Sequence, residues 1–143
     1  MTEATGPRVG GIVLGSTDPE RLWEWYRTAF APRAAAAAGP EDGEGPAHVL
    51  ELSGTYVIFE SRDDVGRKSV EPGRILINFE VTDIHGMARR LTERLNPHWV
   101  RPVEAVDEDV LLGTVEDPDG NYVQLFEVTG KSADQTAADS SAA

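Results

Sequence analysis

Apolar and polar residues alternate with a period of two in seven stretches of the chain, and with a helical period in two others. The first stretch, "VGGIVLGST", is short and β-like. "DPERLWEWYRTAF" follows it. Asp18 suits an N-cap, Pro19 the first helical position, and Glu20 the positive end of a helix. Leu22, Trp25, Tyr26, Ala29 and Phe30 recur at the spacing of one helical face, which predicts an amphipathic helix. Trp23 lies two positions from Trp25 and cannot share its face. It is expected off the apolar stripe, exposed, where it could meet a partner subunit. "AHVLELSG" and "TYVIFES" then read as two strands around a Ser-Gly turn.

The second half repeats this plan. "RILINFEVT" is a strand, and "DIHGMARRLTERL" is a helix capped by Asp83 with Met87, Leu91 and Leu95 on one side. "HWVRPVEA", "VLLGTVED" and "NYVQLFEV" are three further strands, with Pro102 placed at an edge. From Asp18 to Tyr56 is 38 positions and from Asp83 to Tyr122 is 39, so "SGTYVIFE" lies over "DGNYVQLF". An internal duplication is the simplest reading. It predicts an α+β fold: two βαβββ modules forming a curved eight-stranded cup, with the helices on its convex side. A ferredoxin-like α+β sandwich is the competing arrangement.

The expected domain runs over 8–129, with modules at about 8–62 and 74–129 joined by "RDDVGRKSVEPGR". The polar ends, 1–7 and 130–143, lack apolar periodicity and are expected to be disordered. The stretch "AAAAAGPEDGEGP" (34–46) is compatible with a weak strand or a helix extension, and composition does not decide between them.

Composition narrows the function classes. The chain has 143 residues, enough for one domain with a core. A formal net charge of −12 disfavours binding to a phosphate backbone, so no nucleic-acid partner is expected, while a cationic small molecule stays among the ligands allowed. No run approaches the length of a membrane span, so no membrane partner is expected either. The chain contains no cysteine, which excludes disulfides, thiolate metal sites and cysteine nucleophiles and fits a cytoplasmic setting.

Three segments carry a resemblance: "VLGSTDPERLWEWY", "NFEVTDIHGMARRL" and, most specific, "DPDGNYVQLFE". Together they make the chain similar to the vicinal oxygen chelate superfamily, which holds glyoxalase I, bleomycin-resistance proteins and extradiol dioxygenases. The resemblance covers about Val9 to Val128. It implies paired βαβββ modules, a homodimer and, in metal-dependent members, one ligand on the first and one on the last strand of each module. Those positions here are Gly11, Ile58, Leu76 and Gln124. One is hydrogen, two are hydrocarbon and one is a neutral amide, whereas a catalytic divalent cation takes at least three N or O donors. The resemblance therefore points to a branch lacking the metal ligands, with no metal and no cofactor. His48, His85 and His98 fall on other elements and do not restore the set.

Alternation sorts the strand residues into two faces. Ile12, Leu14, Val57, Phe59, Ile77, Phe79, Val81, Val123 and Leu125 make an apolar face toward the helices. The opposite face carries Gly11, Val13, Tyr56, Ile58, Glu60, Leu76, Asn78, Glu80, Tyr122, Gln124 and Phe126. Apolar walls with sparse polar groups are the character of a ligand pocket. These eleven residues are the candidate ligand-binding set, and Trp99 is a further candidate for a pocket rim or an interface. A half-solvated sheet face without a ligand has the same pattern. The leading expectation is a small-molecule binding protein, for a drug or metabolite, similar to the bleomycin-resistance branch. The alternatives are an enzyme, either cofactor-free with Glu60 or Glu80 as general base or with an unrecognised metal site, and an interaction module.

Overall fold

The computed structural model describes residues 6–33 and 48–130. The Ala-rich stretch and most of both polar ends, on which the expectations of a strand or helix and of disorder fell, lie outside the described residues. The chain divides between Arg67 and Lys68 into two compact units.

The first unit contains β1 (Gly11–Ser16), α1 (Pro19–Phe30), β2 (His48–Leu52) and β3 (Thr55–Ser61). Its sheet has the order β1-β3-β2, with β1 parallel to β3 and β2 antiparallel to it. Asp18 caps α1, accepting from the Arg21 N–H, and Pro19 opens the helix, as its fixed φ favours. The β2–β3 hairpin turns on Ser53 and Gly54, both at positive φ (52° and 92°), the pairing that matches strand twist in two-residue turns. Leu22, Tyr26 and Ala29 of α1 are buried with Leu50, Val57 and Phe59 of the sheet, and the Tyr26 and Phe59 rings lie 5.4 Å apart. Each such large apolar side chain contributes about 1.5–3 kcal/mol on burial.

Trp23 departs from expectation. It is 3 % exposed, and its indole stacks on the imidazole of His48 with centroids 4.7 Å apart. The Arg27 guanidinium lies 5.8 Å from the indole centroid. The reason is angular. At about 100° per residue, Trp23 and Trp25 fall on opposite flanks of the Leu22–Tyr26–Ala29 stripe, not on and off it. The stripe is wide enough to bury both, so Trp23 offers no exposed interface.

The second unit contains β4 (Ile77–Glu80), α2 (Ile84–Arg94), β5 (Trp99–Asp107), β6 (Val110–Glu116) and β7 (Tyr122–Val128). This is a complete strand–helix–three-strand module, with the sheet order β4-β7-β6-β5. β4 runs parallel to β7, and the other pairs are antiparallel. Ile84 and Leu91 of α2 are buried with Val115, Val123 and Leu125. Asp83 accepts from the Gly86 N–H at 3.1 Å, and Glu127 of β7 accepts from the Ile84 N–H at 2.9 Å, so two carboxylates meet the positive helix end. Pro102 does lie on an edge strand, β5, whose pairing with β6 is irregular on either side of it.

Each unit carries one helix and closes its sheet by pairing its first strand with its last. That order is not the βαββαβ plan of the ferredoxin-like alternative. The described residues form seven strands, in sheets of three and four, and so do not show the eight-stranded cup.

Candidate functional site

Strand register decides which side chains share a face. In the first unit the pairs Gly11↔Tyr56, Val13↔Ile58 and Gly15↔Glu60 place Gly11, Val13, Tyr56, Ile58 and Glu60 together on the face away from α1. The hairpin adds Val49 opposite Ile58 and Glu51 opposite Tyr56, two members that alternation within one strand could not assign. Val13 and Tyr56 are exposed large apolar residues, as an open face requires.

Glu60 does not have the apolar wall that a general base would need. Arg62 Nη1 donates to its Oε2 at 2.8 Å, and the same guanidinium donates from Nε and Nη2 to the two oxygens of Asp64. Those bonds hold the Asp64 carboxyl below its ordinary range and raise Arg62. The stem of Arg62 crosses β1 at Gly15, where a Cβ would overlap its Cδ.

In the second unit the pairs Asn78↔Gln124 and Glu80↔Phe126 bring the predicted residues of β4 and β7 side by side. Leu76 immediately precedes β4 and is not part of the strand. Gln124 Nε2 donates to Asn78 Oδ1 at 3.1 Å. Thr114 stands opposite Gln124 on the other side, Leu112 opposite Phe126 and Glu116 opposite Tyr122. Tyr122 is packed against Gly73, whose absent Cβ would stand 3.7 Å from the ring.

The turn before β7 explains the most specific of the sequence motifs. Asp117 is 3 % exposed, and its Oδ1 accepts the N–H groups of Asp119 and Asn121 at 2.8 and 2.9 Å. Its Oδ2 accepts from Asn121 Nδ2 at 2.9 Å. Lys68 Nζ donates to the Pro118 carbonyl, and the Ser69 N–H to that of Asp119, so the connector is tied to the turn. "DPDGN" acts structurally, aiming Tyr122, Gln124 and Phe126.

The residues at the four anchor positions do not fit a metal ion. Gly11, Ile58 and Leu76 have no side-chain donor atom, so the Gln124 amide oxygen is the one side-chain ligand the four positions offer. Among the described residues no group of three or more His, Asp or Glu side chains could hold an ion. His48 is stacked on Trp23, His85 lies exposed in the first turn of α2, and His98 precedes β5.

A groove of about 450 Å³ lies on the α2 side of the second sheet, lined by Ala88, Thr92, Trp99, Pro102 and Val103 among others. Trp99 Nε1 donates to Thr92 Oγ1 at 3.2 Å there. Trp99 thus lines a groove on the side opposite the candidate residues.

Strand order, parallel first–last pairing and a single helix per unit give an α+β fold that is shared with solved structures of the glyoxalase/bleomycin resistance/dioxygenase type. Three solved structures illustrate the likeness. A glyoxalase/bleomycin resistance protein/dioxygenase from Nocardioides superposes with a TM-score of 0.65 at 15 % identity, covering 90 % of this chain and 88 % of its own. TioX from Micromonospora sp. ML1 gives 0.65 at 18 % identity, covering 85 % and 99 %. The fosfomycin resistance protein FosX from Mesorhizobium loti gives 0.60 at 19 %, covering 95 % and 99 %. No protein-family model matches the chain, and no curated protein matches it in sequence.

Proposed function

We propose that this chain is a small-molecule binding protein that holds a drug or metabolite on an open sheet face without a metal ion and releases it unchanged. One observation carries this reading. The four positions that would anchor an ion present a single side-chain donor group, the Gln124 amide, where a catalytic divalent cation takes at least three N or O ligands. The fold is shared with resistance proteins as well as with glyoxalase-type and oxidase structures, so the reading rests on the donor set and not on the fold. The pairing of Glu60 with Arg62 counts against Glu60 as a base in a cofactor-free enzyme. A homodimer in the cytoplasm remains part of the proposal. It rests on the resemblance and the lack of cysteine, since Trp23 no longer supports an interface. Among the described residues no helix is long and apolar enough to cross a membrane.

Elemental analysis of protein expressed without chelators, beside equilibrium binding with recovery of the compound, tests the reading. Negligible metal and intact ligand are expected. A stoichiometric, tightly held iron, nickel, manganese or zinc ion overturns it.

A further inference from the structure

We propose that the Asn78–Gln124 amide pair is the recognition element of the second sheet's open face. It selects a neutral, flat ligand with a cis-amide edge, as in a lactam, a cyclic imide or a ureide. This rests on the binding reading above and adds the chemistry of the ligand.

The bond from Gln124 Nε2 to Asn78 Oδ1 uses one donor and one acceptor. It leaves the Gln124 carbonyl oxygen to accept and the Asn78 amino group to donate. Neither side chain makes another hydrogen bond among the described residues. The pair is therefore ordered by its own contact and presents one acceptor and one donor on neighbouring strands. A cis-amide offers the complement, an N–H beside a carbonyl. Satisfying both ends at once favours it over a lone carbonyl or hydroxyl.

The surroundings set the shape and charge. Gln124 stands midway between Tyr122 and Phe126 on the same face of β7, whose Cα atoms are about 13 Å apart at ~3.3 Å per residue. That interval accepts one flat ring system, with an aromatic edge at either end. Leu112 continues the face across β6, and Thr114, opposite Gln124, is buried at 5 % exposure. Glu116 stands opposite Tyr122 and Glu80 opposite Phe126, so carboxylates mark both margins. An anionic ligand would meet them with no cation of the Asn78–Gln124–Thr114 row except Arg101, which is itself paired with Glu104 at 2.6 Å. The row thus favours an uncharged hydrogen-bonding ligand over a carboxylate of the same outline.

The test titrates the ¹⁵N-labelled full chain with three probes: isoquinolin-1(2H)-one, its N-methyl derivative and 1-naphthoate. The side-chain amide signals of Asn78 and Gln124 are followed by NMR. The lactam should move both signals and bind at least about tenfold more tightly than either control, the worth of roughly one hydrogen bond. Asn78→Ala and Gln124→Met, with unfolding midpoints checked, should each bring the lactam down to the level of its N-methyl derivative. Equal binding of the lactam and its N-methyl derivative, or a preference that survives both substitutions, overturns the amide-pair assignment and leaves the binding reading standing. Binding by none of the three overturns both. Binding that appears only when zinc or ferrous ion is added overturns the metal-free reading.

Discussion

The indole of Trp23 and the imidazole of His48 lie stacked, inclined by 22°, joining the flank of α1 to the edge strand β2. The indole Nε1 and imidazole Nδ1 are buried with no hydrogen-bond partner among the described residues. The contact therefore holds through ring packing, not through a polar bond. Trp23→Ala should cost about 3–5 kcal/mol in urea unfolding, the range for deleting a buried aromatic ring. Trp23→Phe should recover part of that. An exposed interface tryptophan would instead leave unfolding of the monomer nearly unchanged and alter the mass seen by light scattering.

Asp117→Ala is expected to destabilise the chain by about 2–6 kcal/mol. It strands the N–H groups of Asp119 and Asn121, and each unpaired buried donor costs ~1–3 kcal/mol. Asp117→Asn keeps one acceptor oxygen but turns an NH₂ toward Asn121 Nδ2 or toward the two N–H groups, so it should fall between Ala and the parent. Chemical denaturation of the three proteins orders them.

At Gly86 two local effects oppose each other. Alanine inside a helix is worth about 1 kcal/mol over glycine. A Cβ there, however, would overlap the Asp83 carboxylate that caps α2, and the cap is worth ~1 kcal/mol. Gly86→Ala should therefore leave stability nearly unchanged instead of raising it. In the Gly86→Ala background, Asp83→Ala should cost much less than it does alone, a coupling that a double-mutant cycle measures.

The carboxylates held by arginine set a pH dependence. Asp64 is lowered by its hydrogen bonds with Arg62, and Glu24 by its hydrogen bond with Arg27. A carboxyl lowered in the folded state binds its proton less readily there than in the unfolded chain. The stability it contributes is present above the unfolded value of about 4 and is lost as pH falls through the folded one. Both groups are exposed, so the effect on unfolding should be small and weaken with salt. Titration by NMR should show the Asp64 carboxyl moving up toward its ordinary value in Arg62→Ala.

The helix caps at Asp18 and Asp83 and the hairpin at Ser53-Gly54 are legible in the sequence, because each depends on residues a few positions apart. Thr114, Val49 and Glu51 are not. Their place beside Gln124, Ile58 and Tyr56 follows from antiparallel register with another strand, which alternation inside one strand does not contain. Arg62 is missed for a related reason, since its reach across Gly15 depends on β1 and β3 lying side by side. Glu127 reads as a strand carboxylate until β7 is brought beside the first turn of α2.

The sequence by itself determined the elements, their polarity and the poverty of metal donors at Gly11, Ile58, Leu76 and Gln124. These are matters of local periodicity and of which atoms a side chain possesses. Only the tertiary structure decided that Trp23 is buried, that Arg62 pairs with Glu60, and that Gln124 Nε2 donates to Asn78. Partners of that kind are chosen by strand register and packing between segments distant in the chain, where contact geometry, not composition, sets the energy.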